Sequence, residues 1–418
     1  MTQRTPELLR QMFQRAVDVA DPMQSLSAHL PEKPEGRVVV VGAGKASARM
    51  AEAVEAVWGP CEGLVITRYG YARPCKGIEI VEAAHPVPDE AGLVGTQRML
   101  ELLEGLGEND FVLALVSGGA SALLTSPAGD ISLEEKQAVN QNLLSSGAPI
   151  GQMNVVRKHL SRVKGGQLAA AAYPAKMLAL LLSDVPGDDP AEIGSGPTVG
   201  DESSADNVKA ILARWNVDVP ASVQKALEGQ SGVLRPQDEK LSRVTNTVFA
   251  APSQSLEAAR VMADEHGCDV ELLGDALEGE ARDVARSHAE LALLRQKERA
   301  AGDRPLVLLS GGELTVTRTG DGVGGPNAEY ALALALALDG AEGIHAIACD
   351  TDGVDGAAEV AGAMIGPDTL QKAEAKGVSA AKALENNDAH RFFETIDDQV
   401  VTGPTLTNVN DFRAIWID

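Results

Sequence analysis

The sequence predicts an α/β protein made of two α/β/α sandwich domains with mainly parallel sheets. Three observations support this prediction. Short apolar runs of strand length alternate with amphipathic helical stretches along most of the chain. The 418 residues are too many for one ordinary core and suit two domains. Hydrophobic residues make up 44% of the chain but aromatic residues only 3%, as in proteins whose small side chains let helices pack closely on a sheet.

The first predicted domain spans residues 1–240. It opens with a helix at Pro6–Ala20, whose apolar residues recur at helical spacing. Further helices are expected at 46–58, 91–106 and 203–215. Each expected strand is a short apolar run of the kind that forms a buried strand. These strands are Arg37–Val41, Leu64–Thr67, Ile78–Ala84, Phe111–Val116 and Met177–Leu182.

The second predicted domain spans residues 241–418. A polar tract from Glu228 to Thr245 is expected to connect the two domains. Beyond this tract the alternation restarts, with helices expected at 255–266, 278–295 and 328–338. The expected strands are Thr247–Ala251, Asp269–Leu273, Leu306–Leu309, Ile344–Ala348 and Phe412–Ile417.

Charge and cysteine content restrict the class of function. The formal net charge of −24 argues against nucleic acid or an anionic membrane as a partner. The four cysteines lie far apart without a metal-binding spacing, and are expected to be buried thiols in a reducing compartment. The charged N-terminal helix does not resemble a signal peptide, and no apolar stretch is long enough to span a bilayer. A soluble cytoplasmic protein is therefore expected.

The first strand runs directly into a glycine turn, Gly42-Ala-Gly44-Lys45, and then into a helix. This is how nucleotide-type α/β folds open. The third position of a dinucleotide fingerprint is Ser47, however, and the next strand ends in Arg68 instead of an acidic residue. The turn is therefore a weak dinucleotide motif. It is better interpreted as an anion site at a helix N-terminus, with Lys45 beside it.

Two further turns have a composition suited to anions. Ser117-Gly118-Gly119-Ala-Ser121 follows one strand, and Ser310-Gly311-Gly312-Glu313 follows another in the second domain. Consecutive backbone N–H groups in such turns can hold phosphate or carboxylate. A tight turn without a ligand is the alternative.

The loop of residues 183–201 combines Asp184, Asp188 and Asp189 with several prolines and glycines. A stiff acidic loop of this length can hold a cation or a substrate hydroxyl, and a surface cluster of Asx turns is the alternative. The second domain has a similar turn at Asp350-Thr-Asp352-Gly.

Basic residues crowd residues 154–168, NVVRKHLSRVKGGQL, in this acidic chain. A solvated helical face and an anion site are both open interpretations. His85, in a Pro-rich turn, is expected to be a structural hydrogen-bonding residue. Because these polar turns follow strands, we expect them to line one cleft between the two domains.

Seven motifs follow one another along nearly the whole chain: VGAGKASARM, LVSGGASALL, NVVRKHLSRVKGGQLA, LLLSDVPGDDPAEIGSGPTVGD, LSGGELTVT, DTDGVDG and TGPTLTNVND. In this order they resemble the class II glycerate 2-kinase family, which pairs an N-terminal α/β domain with a C-terminal MOFRL domain. This resemblance implies a Rossmann-like glycerate kinase domain at 1–240 and a MOFRL-type domain at 241–418. It also implies ATP- and Mg²⁺-dependent phosphorylation of D-glycerate at its 2-hydroxyl.

The resemblance, together with the turns described above, gives a set of expected site residues. Lys45, Asp184 and Asp189 are expected to be catalytic, and Asp184, Asp352 and Glu313 to bind metal. ATP is expected to contact the glycine and hydroxyl turns of both domains. A homodimer is left open. The expected cofactor-binding residues are Gly42, Gly44, Ser117, Gly118, Gly119, Ser121, Ser310, Gly311, Gly312 and Asn408.

One position departs from the family pattern. Many of these kinases have G-G-R-N-Q-E where this chain has Gly324-Gly-Pro326-Asn-Ala-Glu329. A positive group is therefore missing at position 326, and Arg318 or Arg157 could replace it. The departure bears on the substrate more than on the fold.

Two other functions are open. Some members of the family are named hydroxypyruvate reductases, in connection with tartrate utilisation, and such an enzyme would need NAD(P)H. The missing third glycine counts against a dinucleotide site, although Arg68 would tolerate a 2′-phosphate. A non-catalytic metabolite-binding protein would explain a cleft, but not the many acidic residues at strand ends.

Overall fold

The computed structural model describes residues 4–229, 231–356 and 358–418, which divide into two compact units. The first unit is Pro22–Ala250. The second unit combines Ala251–Asp418 with the N-terminal chain up to Asp21, which contains helix α1 (Arg4–Ala20). The first unit therefore begins later than the predicted span 1–240 and also ends later. The predicted span 241–418 correspondingly lacks α1. The predicted cleft between the units stays a prediction.

A six-stranded, wholly parallel sheet forms the centre of the first unit, as the predicted fold class requires. Its strands are β1 (Val38–Ala43), β2 (Glu62–Arg68), β3 (Ile78–Ala83), β4 (Phe111–Val116), β5 (Lys176–Leu182) and β6 (Val244–Ala250). In space they follow the order β3-β2-β1-β4-β5-β6, so that the order reverses between β1 and β4. Doubly wound folds with this order bind ligands at the carboxyl ends of the strands, where the order reverses.

Strand β6 explains why the first unit extends beyond residue 240. It pairs in parallel with β5, with Thr247 opposite Leu180. The side chain of Asn246 accepts a hydrogen bond of 2.6 Å from Thr198, in the loop that follows β5. The polar tract Glu228–Thr245 therefore lies within the first unit, and does not connect the two units.

Between β4 and β6 the first unit carries a helical layer with its own apolar core, which includes Val139, Leu143, Val156 and Leu212. The helices of the first unit are α2 (Pro22–Ser25), α3 (Ser47–Trp58), α4 (Glu90–Leu103), α5 (Ala120–Leu123), α6 (Leu133–Ser146), α7 (Ile150–His159), α8 (Gln167–Ala172), α9 (Ala205–Arg214) and α10 (Ala221–Glu228). Short 3₁₀ turns lie at Leu26–His29, Pro186–Asp188, Ile193–Ser195 and Glu239–Leu241.

The second unit has a mixed six-stranded sheet. Its strands and a small two-stranded ladder are β7 (Asp269–Gly274), β8 (Gly279–Glu280), β9 (Leu306–Ser310), β10 (Leu314–Thr315), β11 (Ile344–Asp350), β12 (Gly362–Ile365), β13 (Gln399–Val400) and β14 (Asp411–Ile417). The sheet order is β13-β12-β11-β14-β9-β7, with β8 and β10 forming the ladder. Strands β7 and β9 are parallel, whereas β14 is antiparallel to both β9 and β11.

Helices cover both faces of the second sheet, as the predicted α/β/α sandwich requires. Alternate residues of β9 point to opposite faces: Leu306 and Leu308 join one apolar core, and Val307 and Leu309 join the other. The second core also contains Leu9, Met12 and Phe13 of α1, because the apolar stripe of this helix is buried on that face. The helices after α10 are α11 (Pro252–Glu265), α12 (Ala281–Glu298), α13 (Pro326–Leu338), α14 (Thr369–Ala375), α15 (Ala380–Glu385) and α16 (Ala389–Thr395).

Among the residues that the structure describes, every helix is too short or too polar to cross a bilayer.

Candidate active site

Two turns of the first unit lock together where the strand order reverses. The amide of Lys45, after β1, donates a 2.8 Å hydrogen bond to the carbonyl of Gly118, after β4. The amide of Ala46 donates to the Ser117 hydroxyl at 3.0 Å, and the Ser47 hydroxyl lies 3.2 Å from the same oxygen. Ser117 is fully buried, so its hydroxyl holds the Lys45 turn in place.

Glycines allow these turns to approach each other. A Cβ on Gly44 would lie 2.1 Å from the Ser117 hydroxyl, and one on Gly42, inside β1, would lie 2.2 Å from a carbonyl of β4. Gly119 has φ +83°, and a Cβ there would meet the His85 ring at 3.1 Å and the Cγ of Lys45 at 3.3 Å. Lys45, His85 and Gly119 therefore lie side by side at the end of the sheet.

A hydrogen-bonded network continues from this point across the loop after β5. The hydroxyls of Ser121 and Ser195 are 2.7 Å apart, and Ser195 donates to Asn154 Oδ1 at 3.3 Å. Arg157 donates to the same Asn154 oxygen at 3.1 Å, while the Asn154 amide donates to Glu192 at 2.6 Å. The network ties α7 to the loop of residues 183–201.

A cavity of about 490 Å³ adjoins this network, a volume suited to a small ligand. Its wall includes His85, Gly119, Ser121 and Arg157, together with polar side chains of α6 such as Gln137. Because Lys45 lies against Gly119, the cavity is next to the interlocked turns.

The basic stretch of residues 154–168 does not form a solvated face. Lys158 is 1% exposed and contacts Glu192 at 3.0 Å and Asp201 at 2.7 Å. Burial raises the pKa of Asp201, but hydrogen bonds from Lys158 and Ser203 outweigh burial and lower that pKa to about 2. Lys164 is fully buried and donates to the carbonyl of Leu124 at 2.8 Å.

The acidic loop places two of its three aspartates differently. Asp184, two residues beyond the end of β5, is half-buried, whereas Asp189 is exposed and accepts a 2.9 Å hydrogen bond from the amide of Ala191. This contact is the Asx-turn arrangement that was the alternative interpretation. Within this loop, Glu192 and Ser195 join the network.

In the second unit, the predicted residues also gather at one edge of the sheet. Ser310 ends β9 and lies opposite Arg413, and Asp350 ends β11 and lies opposite Asp411. The turn Gly311–Glu313 and Asp352 follow these two strand ends, and Asn408 precedes β14. Asp352 is buried and its Oδ1 accepts from the amide of Val354 at 2.8 Å, whereas Glu313 is exposed.

A buried arginine supports this edge. Arg413 is 1% exposed and donates to the carbonyls of Gly311 and Gly312 at 3.2 and 2.9 Å. It also lies 3.4 Å from Asp411, whose other oxygen accepts a 2.6 Å hydrogen bond from Asn327. Burial raises the pKa of Asp411 to about 6 despite these partners.

The motif Gly324–Glu329 forms the N-terminus of α13. Asp355 caps this helix by accepting from the amides of Asn327 and Ala328 at 2.9 and 2.8 Å. Pro326 occupies the first turn, where a missing N–H costs nothing. Glu329, fully buried, is paired with Arg282 at 2.6 Å. The motif therefore serves the fold of the second unit.

The two arginines proposed to replace the family arginine differ in their surroundings. Arg318 donates to the carbonyl of Gly322 at 2.9 Å and so stabilises its own loop in the second unit. Arg157 lines the cavity of the first unit.

Several residues of the site were missed by the sequence prediction. Asn154, Glu192 and Ser195 fell within motifs that had been singled out, but their individual roles had no local signal. Arg413 did have a local signal, because a lone arginine in the apolar run Phe412–Ile417 suggests a specific partner. Lys136, fully buried on α6, lay in no motif at all.

The metal prediction involves residues of both units. Asp184 belongs to the first unit, and Asp352 and Glu313 belong to the second. In the parts of the chain covered by residues 4–229, 231–356 and 358–418, no three His, Cys, Asp or Glu side chains group as a metal site. The assignment of these three residues stays a prediction.

The doubly wound sheet and its interlocked strand-end turns define an α/β ligand-binding enzyme fold. The model described as "Domain of unknown function (DUF4147)" matches residues 8–228, and the MOFRL family model matches residues 306–411. Together with the relatives described below, these matches show that the chain belongs to the class II glycerate kinase family, as the motifs predicted.

Individual relatives agree with this family. A D-glycerate 2-kinase of Thermotoga maritima is 38% identical over 417 residues, covering 97% of this chain and 98% of that protein. The crystal structure of a glycerate kinase from the same organism has a TM-score of 0.89 at 36% identity, with both chains fully covered. A protein of Agrobacterium vitis with a provisional hydroxypyruvate reductase name is 50% identical, covering 98% of this chain and 94% of that protein.

Proposed function

We propose that the protein is a glycerate 2-kinase, which transfers the γ-phosphoryl group of ATP to the 2-hydroxyl of D-glycerate. The observation that carries this proposal is the position of Lys45. It lies between two interlocked turns, where the strand order reverses, and beside a cavity of about 490 Å³. The full-length similarity to D-glycerate 2-kinase supports the same conclusion.

Phosphoryl transfer is catalysed mainly by positioning and by charge stabilisation. In this proposal the ammonium of Lys45 stabilises negative charge on the transferred group. The turns at Gly42–Gly44 and Ser117–Ser121 contact the nucleotide phosphates. For Ser310–Gly312 and Asn408, in the second unit, nucleotide contact stays a prediction.

The donor chemistry fits a magnesium ion. Mg²⁺ keeps several waters and takes only one or two protein carboxylates together with phosphate oxygens. Asp184 is half-buried at a strand end and suits this role better than the buried Asp352 or the exposed Glu313. When bound, the ion supplies neutralisation of charge on the phosphates. We assign proton acceptance from the 2-hydroxyl to Asp184 or Asp189.

The geometry does not favour the reductase alternative. Ser47 stands where a dinucleotide fingerprint has its third glycine, and its buried hydroxyl donates to the carbonyl of Leu115 at 3.0 Å. Arg68 stands at the end of β2, where a dinucleotide site has an acidic residue that binds the ribose. Its guanidinium carbon lies 5.2 Å from the centre of the Tyr71 ring.

The proposal also includes the cellular location and the oligomeric state of the protein. We place the kinase in the cytoplasm, where its four cysteines stay free thiols, as they are in the structure. A homodimer stays a prediction.

The test uses purified protein with ATP, Mg²⁺ and D-glycerate. We expect ADP and 2-phosphoglycerate, identified by phosphorus NMR, and loss of turnover in excess EDTA. A parallel assay with hydroxypyruvate and NAD(P)H is expected to show no oxidation of the cofactor. Formation of the 3-phosphate alone, or full turnover in EDTA, would contradict the proposal.

A further inference from the structure

We propose that Lys136, Arg157 and Lys164 form an anion-binding subsite in the first unit that takes the carboxylate of the acceptor substrate. This inference rests on the proposed function, since it assigns one end of the 2-hydroxy acid that the kinase would phosphorylate. It is carried by the buried ammonium of Lys136, which has no hydrogen-bond partner among the described residues, and by the guanidinium of Arg157 in a cavity wall that also includes Glu134.

Lys136 is the clearest member of the subsite. Its side chain is 3% exposed, and its Nζ atom is buried without a hydrogen-bond partner among the described residues. An ammonium in this state loses its hydration without compensation, which is costly for the folded protein. In a chain with 60 acidic and 36 basic residues, such a lysine indicates an anion supplied by a ligand.

Arg157 connects the buried cations to the cavity. It lines the cavity wall with Ser121 and His85, and its guanidinium donates to the amide oxygen of Asn154. Its neighbour Lys158 has two carboxylate partners, Glu192 and Asp201. Among the described residues, Arg157 has no such ion pair, so its charge remains available to a ligand.

The three cations are close enough to repel one another. Burial lowers the pKa of Lys136 to about 8, with a further contribution from Arg157. Burial also lowers the pKa of Lys164 well below its ordinary value, and both Lys136 and Arg157 add to this effect. A bound anion would reverse this repulsion, because it would face three positive charges.

The position of the subsite favours a carboxylate over a nucleotide phosphate. The Lys45 turn, which suits phosphate, lies against Gly119 and His85 of the cavity wall. The cations instead come from α6, from α7 and from the turn before α8. The planar fork of Arg157 can bind a carboxylate through two parallel hydrogen bonds.

The test compares Lys136→Met and Arg157→Gln with wild type in steady-state kinetics. We expect KM for D-glycerate to rise about 10-fold to 100-fold, the loss typical of a hydrogen bond to a charged group, with KM for ATP unchanged. Lys225→Met serves as the control, because this lysine of α10 is 74% exposed and forms a surface ion pair with Asp130. A rise in KM for ATP alone would assign the subsite to phosphate and overturn the proposal.

Thermal melts separate binding from folding. Lys136→Met is expected to melt at a higher temperature than wild type, because methionine removes an unpaired buried charge at similar volume. A lower melting temperature would indicate a structural lysine and would contradict the proposal. Arg157→Lys keeps the charge without the fork, and should recover part of the affinity lost in Arg157→Gln.

Calorimetry tests the subsite separately from the proposed function. It measures binding of D-glycerate, with glycerol as the control ligand because glycerol has no carboxylate. If wild type binds glycerate but does not phosphorylate it, and the variants lose binding, the subsite stands and the kinase proposal fails. If wild type is a kinase and neither variant changes KM for glycerate, the subsite proposal fails. Failure of wild type to bind glycerate would overturn both.

Discussion

At the scale of single residues, Lys45 gives the sharpest prediction. Lys45→Met should fold normally and lose about 10²-fold or more in turnover, since removing one charge-stabilising group typically costs about 3 kcal/mol. Lys45→Arg should recover only part of the lost turnover, because a planar guanidinium does not replace a compact ammonium. Steady-state kinetics beside a thermal melt measure both effects. Lys297→Met, at an exposed position of α12, is the control, and near-normal turnover of Lys45→Met would remove Lys45 from the mechanism.

The same scale shows why some site residues could be predicted and others could not. Lys45 follows a strand and two glycines, so its neighbours in the sequence already place it at a strand end. Lys136 lies among the polar residues LEEKQAVNQN, which are typical of a solvated helix. Its burial is a tertiary effect that the local sequence does not show, and α6 itself shares an apolar core with α7.

At the scale of elements, the turn between β4 and α5 depends on a glycine at Gly119. Gly119→Ala should cost about 1–2 kcal/mol in stability for its positive φ, and should also displace Lys45 and His85. A misplacement of about 1 Å can lower turnover by about 10²-fold. Gly105→Ala is the matched control, since Gly105 has φ +74° but open space around its Cβ. Equal turnover in the two variants would show that the turn tolerates a side chain.

Strands were predicted correctly where apolar runs are long. The prediction failed where pairing with another strand determines the direction of a strand or the sheet that it joins. The parallel strands of the first unit were all predicted, because runs such as Phe111–Val116 are buried along nearly their whole length. Strand β12 is only four residues long and was not predicted. The antiparallel direction of β14 and the assignment of β6 to the first sheet depend on pairing partners, which no local pattern specifies.

At the scale of the whole molecule, α1 should behave as part of the second unit. Phe13 is 2% exposed and its ring lies 5.9 Å from that of Phe412, so Phe13→Ala should cost about 3–5 kcal/mol. Hydrogen exchange by mass spectrometry should then show faster exchange within residues 251–418. Leu26→Ala, which removes a fully buried side chain of the first unit, should speed exchange within residues 22–250 instead. The opposite pattern would assign α1 to the first unit.

The placement of α1 also determines the order in which the protein can assemble on the ribosome. The hydroxyl of Thr407 donates to the carbonyl of Ala20 at 2.9 Å, although the two residues are 387 positions apart. The first unit is a continuous segment, so it can fold as soon as its last strand has emerged. Helix α1 is synthesised earlier, but its apolar stripe stays exposed until β14 has been synthesised. Nascent chains that stop between these two points should therefore present α1 to chaperones.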